Sequence, residues 1–243
     1  VSRLVLLLCL CLASVSAWSE TARVAVAANF AGVAKQLAAR YEKVSGNRIE
    51  LVRGSTGKLY AQIEHGAPYD VFLAADIHRP KLLEADGHGK AGSRFTYAIG
   101  QLALWQPGGM HAHDTLLQPG QWQLLAIANP KLAPYGLAAQ QTLEKMHLWQ
   151  SVKDRLVLGE NISQAYQFVA SGAASLGFIA LSHARANHLP DSSLWIVPGS
   201  MHAPIEQQAV RLTDNTAGRD FLTFLQSAKA RPIIEAAGYK LPD

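Results

Sequence analysis

Apolar positions along this chain switch repeatedly between two periods. Arg23–Ala27 (RVAVA) and Arg48–Val52 (RIELV) alternate as strands do. Between them Phe30, Val33, Ala34, Leu37, Ala38 and Tyr41 recur at helical spacing, with Gly46 as a stop. Gly57–His65 reads as a helix closed by Gly66, Asp70–Ala74 (DVFLA) as a short buried strand, and Lys81–Ala85 as a short helix. Strands are predicted at Ala98–Trp105 and Gln123–Ala128, a helix at Gly136–His147, a strand at Arg155–Leu158, and a helix at Ile162–Ser171 ended by Gly172. Leu176–Leu181 (LGFIAL) reads as a buried strand, Leu194–Val197 and Gln207–Leu212 as further strands, and Ala217–Ala237 as helices.

Such alternation predicts an α/β protein with mostly parallel sheet. The chain shows no internal repeat and no Pro/Gly/Ser-rich linker. If there are two domains, short crossing segments must join them. Phe95–Leu102 and Pro204–Val210 are the best candidates, since each combines strand character with uncharged polar residues. The first domain is then discontinuous.

Composition narrows the classes. With 49% hydrophobic and 16% charged residues over 243 positions, the chain can build sizeable cores and is not a disordered or low-complexity protein. Lys plus Arg is 22 against 18 Asp plus Glu, a net charge of +4 spread without runs, which argues against a nucleic-acid partner. Val1–Ala17 has Arg3, an apolar stretch from Leu4, and small residues at Val15 and Ala17, so it reads as a secretory signal peptide cleaved after Ala17. Its apolar stretch is short for a membrane span of about 30 Å. Cys9 and Cys11 follow Leu, unlike a lipid-attachment site, and both leave with the leader. The exported chain, 18–243, then has neither disulfide nor thiolate metal site.

Four strand-to-helix turns share a character: Ala27-Ala28-Asn29-Phe30, Gly54-Ser55-Thr56-Gly57, Ala133-Pro134-Tyr135-Gly136 and Gly159-Glu160-Asn161-Ile162. Each places small or uncharged residues before a helix start, where backbone N–H groups are unpaired and partially positive. If they converge, they bind an anion without arginine or lysine. If they do not, Asn29, Ser55, Thr56 and Asn161 are simply helix caps. GSTGK within Arg53–Leu59 echoes a phosphate-binding loop but lacks its first glycine and the hydroxyl after Lys58. Met110-His111-Ala112-His113-Asp114 offers two histidines without further ligands at metal spacing and reads as a solvated loop. Asn161-Ile162-Ser163 matches a glycosylation acceptor, but here reads as a helix cap. No nucleophile elbow or carboxylate pair marks an enzyme.

In order, the segments AVAANFAG, GSTGKLYAQIEHGAPYDVFLAAD, RFTYAIGQLALW, IANPKLAPYGLAAQQTL, ENISQAYQFVASGAASLGFIAL and AAGYKLP resemble the periplasmic molybdate-binding proteins of ABC importers, the ModA family. The resemblance runs over nearly all of 18–243. It implies the type II periplasmic-binding-protein fold, an α/β fold with two lobes joined by crossing strands and a ligand cleft between them. Lobe 1 is expected at 18–98 and 206–243, and lobe 2 at 99–205. It also implies a non-enzymatic, monomeric carrier without cofactor, located in the periplasm, with an inner-membrane ABC permease as partner and molybdate or tungstate as ligand.

Carried over residue by residue, the family's site falls on the same four turns. Asn29 and Thr56 stand where many members have Ser, each offering a side-chain donor and its N–H. Tyr135 and Ile162 offer backbone N–H groups. Ala180 stands where many members have a Tyr whose hydroxyl touches the ion, leaving Ala28 N–H or Ser55 as the replacement donor. Because of Ala180, sulfate or another small tetrahedral oxyanion is the alternative ligand.

Overall fold

The computed structural model describes residues 19–109, 112–118 and 120–242; the expected leader, Val1–Ala17, lies outside the described residues. The chain runs β1 (Thr21–Ala27), α1 (Ala31–Ser45), β2 (Arg48–Gly54), α2 (Thr56–Glu64), β3 (Val71–Leu73), α3 (His78–Ala85), β4 (Phe95–Gly100) and β5 (Leu102–Trp105). It continues through α4 (Ala112–Leu116), β6 (Leu125–Ala128), α5 (Pro134–Lys145), α6 (Trp149–Val152), β7 (Leu156–Gly159), α7 (Ile162–Ala170), β8 (Leu176–Ala180) and α8 (Leu181–Ala186). The last elements are β9 (Leu194–Ile196), β10 (Ile205–Arg211), α9 (Thr216–Leu225) and α10 (Arg231–Ala236).

The strands form two five-stranded sheets of matching plan, β2-β1-β3-β10-β4 and β7-β6-β8-β5-β9. In the first, β1 pairs parallel with β2 and β3, while β10 runs antiparallel to β3 and β4. In the second, β6 pairs parallel with β7 and β8, while β5 runs antiparallel to β8 and β9. Three parallel strands in each sheet therefore end at one edge, and the following helix starts gather there. In open α/β sheets that carboxyl edge is where ligands bind.

Alternation along β1 divides the core of the first sheet. Val24 and Val26 face α1 and α9, packing with Val33, Leu37, Tyr41 and Phe221. Ala25 faces the other way, with Leu59 and Ile63 of α2 and Leu83 of α3. The second sheet has one continuous core around Leu104, Ile127, Phe178, Leu143 and Val169. Each fully buried Leu, Val or Phe stabilises the fold by about 1.5–3 kcal/mol before entropy is counted. Cores on both faces of both sheets explain the apolar runs in the sequence.

The sheets are mixed and not mostly parallel, since each has two parallel and two antiparallel pairings, and the loop expected around His113 is the helix α4, whose Ala112 is fully buried. Two strands also differ from the sequence reading. The single strand expected at Ala98–Trp105 is two strands in two sheets, β4 paired with β10 and β5 paired with β8 and β9. Between them Gln101 is anchored on both sides: its carbonyl accepts from Leu181 N–H (2.9 Å) and its Nε2 donates to the Gly238 carbonyl (2.7 Å). Gly100 must lack a side chain, because a Cβ there would run into the Tyr135 hydroxyl. The strand expected at Leu176–Leu181 stops at Ala180, and Leu181 opens α8. Among the described residues no helix is long and apolar enough to cross a membrane.

Candidate functional site

The carboxyl edges of the two sheets face each other. Bonds cross between them: Gly57 N–H to the Leu132 carbonyl (2.9 Å), Ser163 Oγ to the Ala28 carbonyl (3.3 Å) and Ser182 Oγ to the Asn29 carbonyl (3.0 Å). Between the edges lies a small cavity of about 10 Å³. Its walls come from all four turns singled out in the sequence, including Ala28, Asn29, Ser55, Thr56, Tyr135 and Ile162.

Each wall is shaped by how its helix begins. Ser55 caps α2 by accepting from Lys58 N–H (3.4 Å), and Asn161 caps α7 by accepting from Ser163 N–H (3.0 Å) and Gln164 N–H (3.1 Å). Pro134 opens α5, where the missing N–H costs nothing. Gly136 lets that helix start close to β6, since a Cβ there would collide with the Ala128 carbonyl. The caps consume the third N–H group of α2 and the second and third of α7, and leave the first of each open. Among the described residues the N–H groups of Asn29, Ser55, Thr56, Tyr135 and Ile162 have no acceptor.

Two hydroxyls join them. Thr56 Oγ1 accepts from Ala75 N–H (3.2 Å), and Ser55 Oγ accepts from Lys58 N–H (3.4 Å). Both oxygens act as acceptors toward the protein, so their own protons are left to donate. Among the described residues no charged side chain lines the cavity. Charges at its rim are paired across the cleft or locally: Lys58 with Glu160 (2.5 Å), and Arg79 with Asp76. A neutral wall of donors without acceptors suits a fully deprotonated anion and disfavours one that carries a proton.

The structure corrects two details expected of the candidate residues. Asn29 does not offer its side-chain amide, because Nδ2 donates to Gln207 Oε1 (2.8 Å) and to the Tyr239 hydroxyl (3.0 Å). Ala28 forms wall only, because its N–H donates to the Gly54 carbonyl (2.9 Å). Ala180 is fully buried opposite Leu102 in the second sheet and does not line the cavity. Tyr135 contributes through its backbone, with its hydroxyl buried against Gln207 Nε2 (3.4 Å). Burial pushes the Tyr135 hydroxyl well above its ordinary range and Tyr239 up to about 12, so this network is a set of neutral dipoles.

Sequence reasoning missed the polar shell behind the cavity: Ser163, Ser182, His183, Gln207 and Tyr239. Gln207 is fully buried, in phase with Ile205 and Ala209 on the inward face of β10, so a polar residue type stands at a core position. Tyr239 and Ser163 lay in segments that carried the resemblance, AAGYKLP and ENISQAYQFVASGAASLGFIAL, but nothing there marked them as part of the site. A larger groove of about 530 Å³ lies on the far side of Asn29, reached by Ser182 and His183. Of the two histidines weighed as metal ligands, His111 lies outside the described residues and His113 packs against Trp195 at 4.4 Å between ring centroids. Among the described residues no cluster of His, Cys, Asp or Glu could hold a metal ion.

Comparison with known proteins gives a consistent picture. A family model described as bacterial extracellular solute-binding protein matches residues 22–240. The chain is 46% identical to the molybdate-binding protein ModA of Azotobacter vinelandii, over 99% of this chain and 98% of that one. It is 39% identical to ModA of Rhodobacter capsulatus, over 88% and 86%. The solved structure of the Azotobacter vinelandii periplasmic molybdate-binding protein superposes with a TM-score of 0.86 at 40% identity, covering 91% of this chain and 100% of that chain.

Proposed function

Because this chain belongs to the bacterial extracellular solute-binding proteins, and among them to the ModA molybdate-binding proteins, we propose that it captures molybdate outside the cytoplasm for an ABC importer. It is a carrier and not an enzyme. The observation that carries the reading is the set of open donors on an uncharged cavity between the two carboxyl edges.

In the proposed site the N–H groups of Asn29, Ser55, Thr56, Tyr135 and Ile162 and the hydroxyls of Ser55 and Thr56 donate to the oxygens of the ion. Molybdate at neutral pH is a tetrahedral dianion that needs donors only. Monohydrogen phosphate wants an acceptor for its proton and finds no carboxylate on the walls. Sulfate is equally rich in acceptors but smaller. Donors fixed at helix starts on two sheets cannot all follow a shorter ion inward, so sulfate loses contacts. Tungstate is nearly the size of molybdate, and we propose that the site takes both. The absence of a tyrosine at Ala180 costs no donor in this arrangement, because that position lies away from the cavity.

The lobes we propose are 18–100 with 205–243, and 101–204, one or two residues from the expected bounds because Ile99, Gly100 and Ile205 pair within the first sheet. Their closure removes water from the ion and strengthens each hydrogen bond. It also creates the surface that the membrane permease distinguishes, a population shift set by the ion's greater affinity for the closed form. We further propose a periplasmic, monomeric protein released by cleavage after Ala17.

Calorimetric titration tests this. Molybdate and tungstate are expected to bind one to one, with sulfate and phosphate at least a hundredfold weaker. Sulfate binding as tight as molybdate in a folded protein overturns the size argument, and no molybdate heat overturns the function.

A further inference from the structure

The carbonyl of Ala28 and the N–H of Asn29 are the two ends of one peptide group. No cis peptide occurs among the described residues, so the two point in opposite directions. On the carbonyl side, Ser163 Oγ donates across from the second sheet at 3.3 Å. Ser163 is itself held by His183, whose Nε2 lies 3.1 Å from Oγ. With the Ser163 proton on Ala28, the ring donates through Nε2–H, which also faces the Ala28 carbonyl. The unprotonated Nδ1 is buried without a partner among the described residues. On the other side, Asn29 N–H has no acceptor, and Asn29 lines the cavity. The next peptide shares only the rear half of the pattern: the Asn29 carbonyl accepts from Ser182 Oγ (3.0 Å) and Tyr239 Oη (2.7 Å), but Phe30 N–H donates to the Ala27 carbonyl (2.9 Å) and is not open to the cavity. Residues 28 and 29 thus lie between a cavity in front and hydroxyl donors behind.

A peptide group that accepts a hydrogen bond at its oxygen is a stronger donor at its nitrogen, because the bonds polarise one another. Accepting from a fixed hydroxyl also removes the freedom of the peptide plane to rotate. We propose that Ser163 is a positioning residue for the oxyanion: it reaches across the cleft to the Ala28 carbonyl and so fixes and polarises the peptide whose N–H meets the ion. Lobe closure and ion binding are then coupled through this peptide, alongside the other bonds that cross the cleft, since Ser163 comes from the opposite lobe and reaches Ala28 when the cleft shuts. This rests on the reading of Asn29 N–H as a molybdate donor.

Ser163→Ala and Ser163→Thr test it. Alanine keeps the backbone N–H that Asn161 caps, so α7 is undisturbed. With sodium molybdate as the probe, Ser163→Ala is expected to bind about fivefold more weakly, the value of one net hydrogen bond. The loss falls on the dissociation rate, with association unchanged. In the molybdate-bound protein the Asn29 amide proton resonance moves upfield in Ser163→Ala and returns in Ser163→Thr, a change that loss of packing alone does not produce. Wild-type affinity in Ser163→Ala, or an unmoved Asn29 resonance, overturns the proposal while leaving molybdate binding intact. A wild-type protein that binds no molybdate overturns both.

Discussion

Thr56 is where the reasoning about donors is most exposed. Its side chain is buried, and its Oγ1 accepts from Ala75 N–H at 3.2 Å. One oxygen thus does two jobs: it satisfies a buried backbone donor and leaves a proton for the ion. Thr56→Val keeps the shape and removes both. A hydrogen bond to a charged group is worth about 1.5–3 kcal/mol, which is roughly a 10- to 150-fold loss of molybdate affinity. The stranded Ala75 N–H separately costs about 1–3 kcal/mol of stability in the ion-free protein. Thr56→Ser retains the oxygen and its proton and is expected within about threefold of wild type on both counts. Titration calorimetry with molybdate reads the first quantity and urea unfolding of the ion-free protein the second. A folded Thr56→Val protein that binds molybdate within twofold of wild type would falsify the donor role. A Thr56→Ser variant as weak as Thr56→Val would mean that the methyl group, and not the hydroxyl, matters.

Three further outcomes follow from the same geometry. Tyr135→Phe removes a hydroxyl that points away from the cavity, so titration should find molybdate affinity unchanged within about twofold while stability falls by about 1 kcal/mol. Gly136→Ala forces a Cβ into the Ala128 carbonyl, so urea unfolding should show a loss of about 1–3 kcal/mol, and displacement of the Tyr135 N–H should weaken the ion; Gly32→Ala, in α1 with nothing within 4 Å, should instead gain about 0.5–1 kcal/mol. His183 gives a pH signature. Burial lowers its pKa from 6.5 to about 4, and the groups facing it are Ser163, Tyr166 and the Ala28 carbonyl. The unfolded chain therefore takes up the proton first. Its contribution is full above about pH 6.5 and is lost as pH falls toward 4, by up to about 3 kcal/mol. Unfolding curves across that window should fall more steeply for wild type than for His183→Gln, and equal slopes would remove His183 from the account.

Much of the fold was legible because helical and strand periods alternate cleanly. Val33, Leu37 and Tyr41 mark α1 and are buried on one face as their spacing implies, while Phe30, read as the first position of the pattern, is buried just before the helix starts. The passage between the two sheets was legible as a crossing segment at Phe95–Leu102, from its strand character mixed with uncharged polar residues, but the break at Gln101 that divides the expected Ala98–Trp105 strand into β4 and β5 was not, because apolar residues continue on both sides of it. The candidate site was visible as four turns of similar character, but pattern alone could not separate helix caps from ion donors. Ser55 shows why, since it is a cap and also lines the cavity. Asn29 shows the limit of residue types, because a side chain chosen as a donor is bonded instead to Gln207 and Tyr239, which lie 178 and 210 positions away in the chain. The polar shell behind the cavity was hidden for the same reason: Gln207, Ser182 and His183 meet only through tertiary packing.

Most of the open donors on the cavity wall belong to the main chain, and two come from Tyr135 and Ile162, whose side chains are buried elsewhere. A main-chain amide survives every substitution except proline. Such a site is inherited with the positions of its helix starts and not with a set of reactive residues. Drift at positions 135 and 162 can exchange one apolar side chain for another without touching the chemistry presented to the ion. Selectivity is then stored in the spacing of two sheets, and the changes able to redirect it are those that shift a helix start, as a methyl group at Gly136 would.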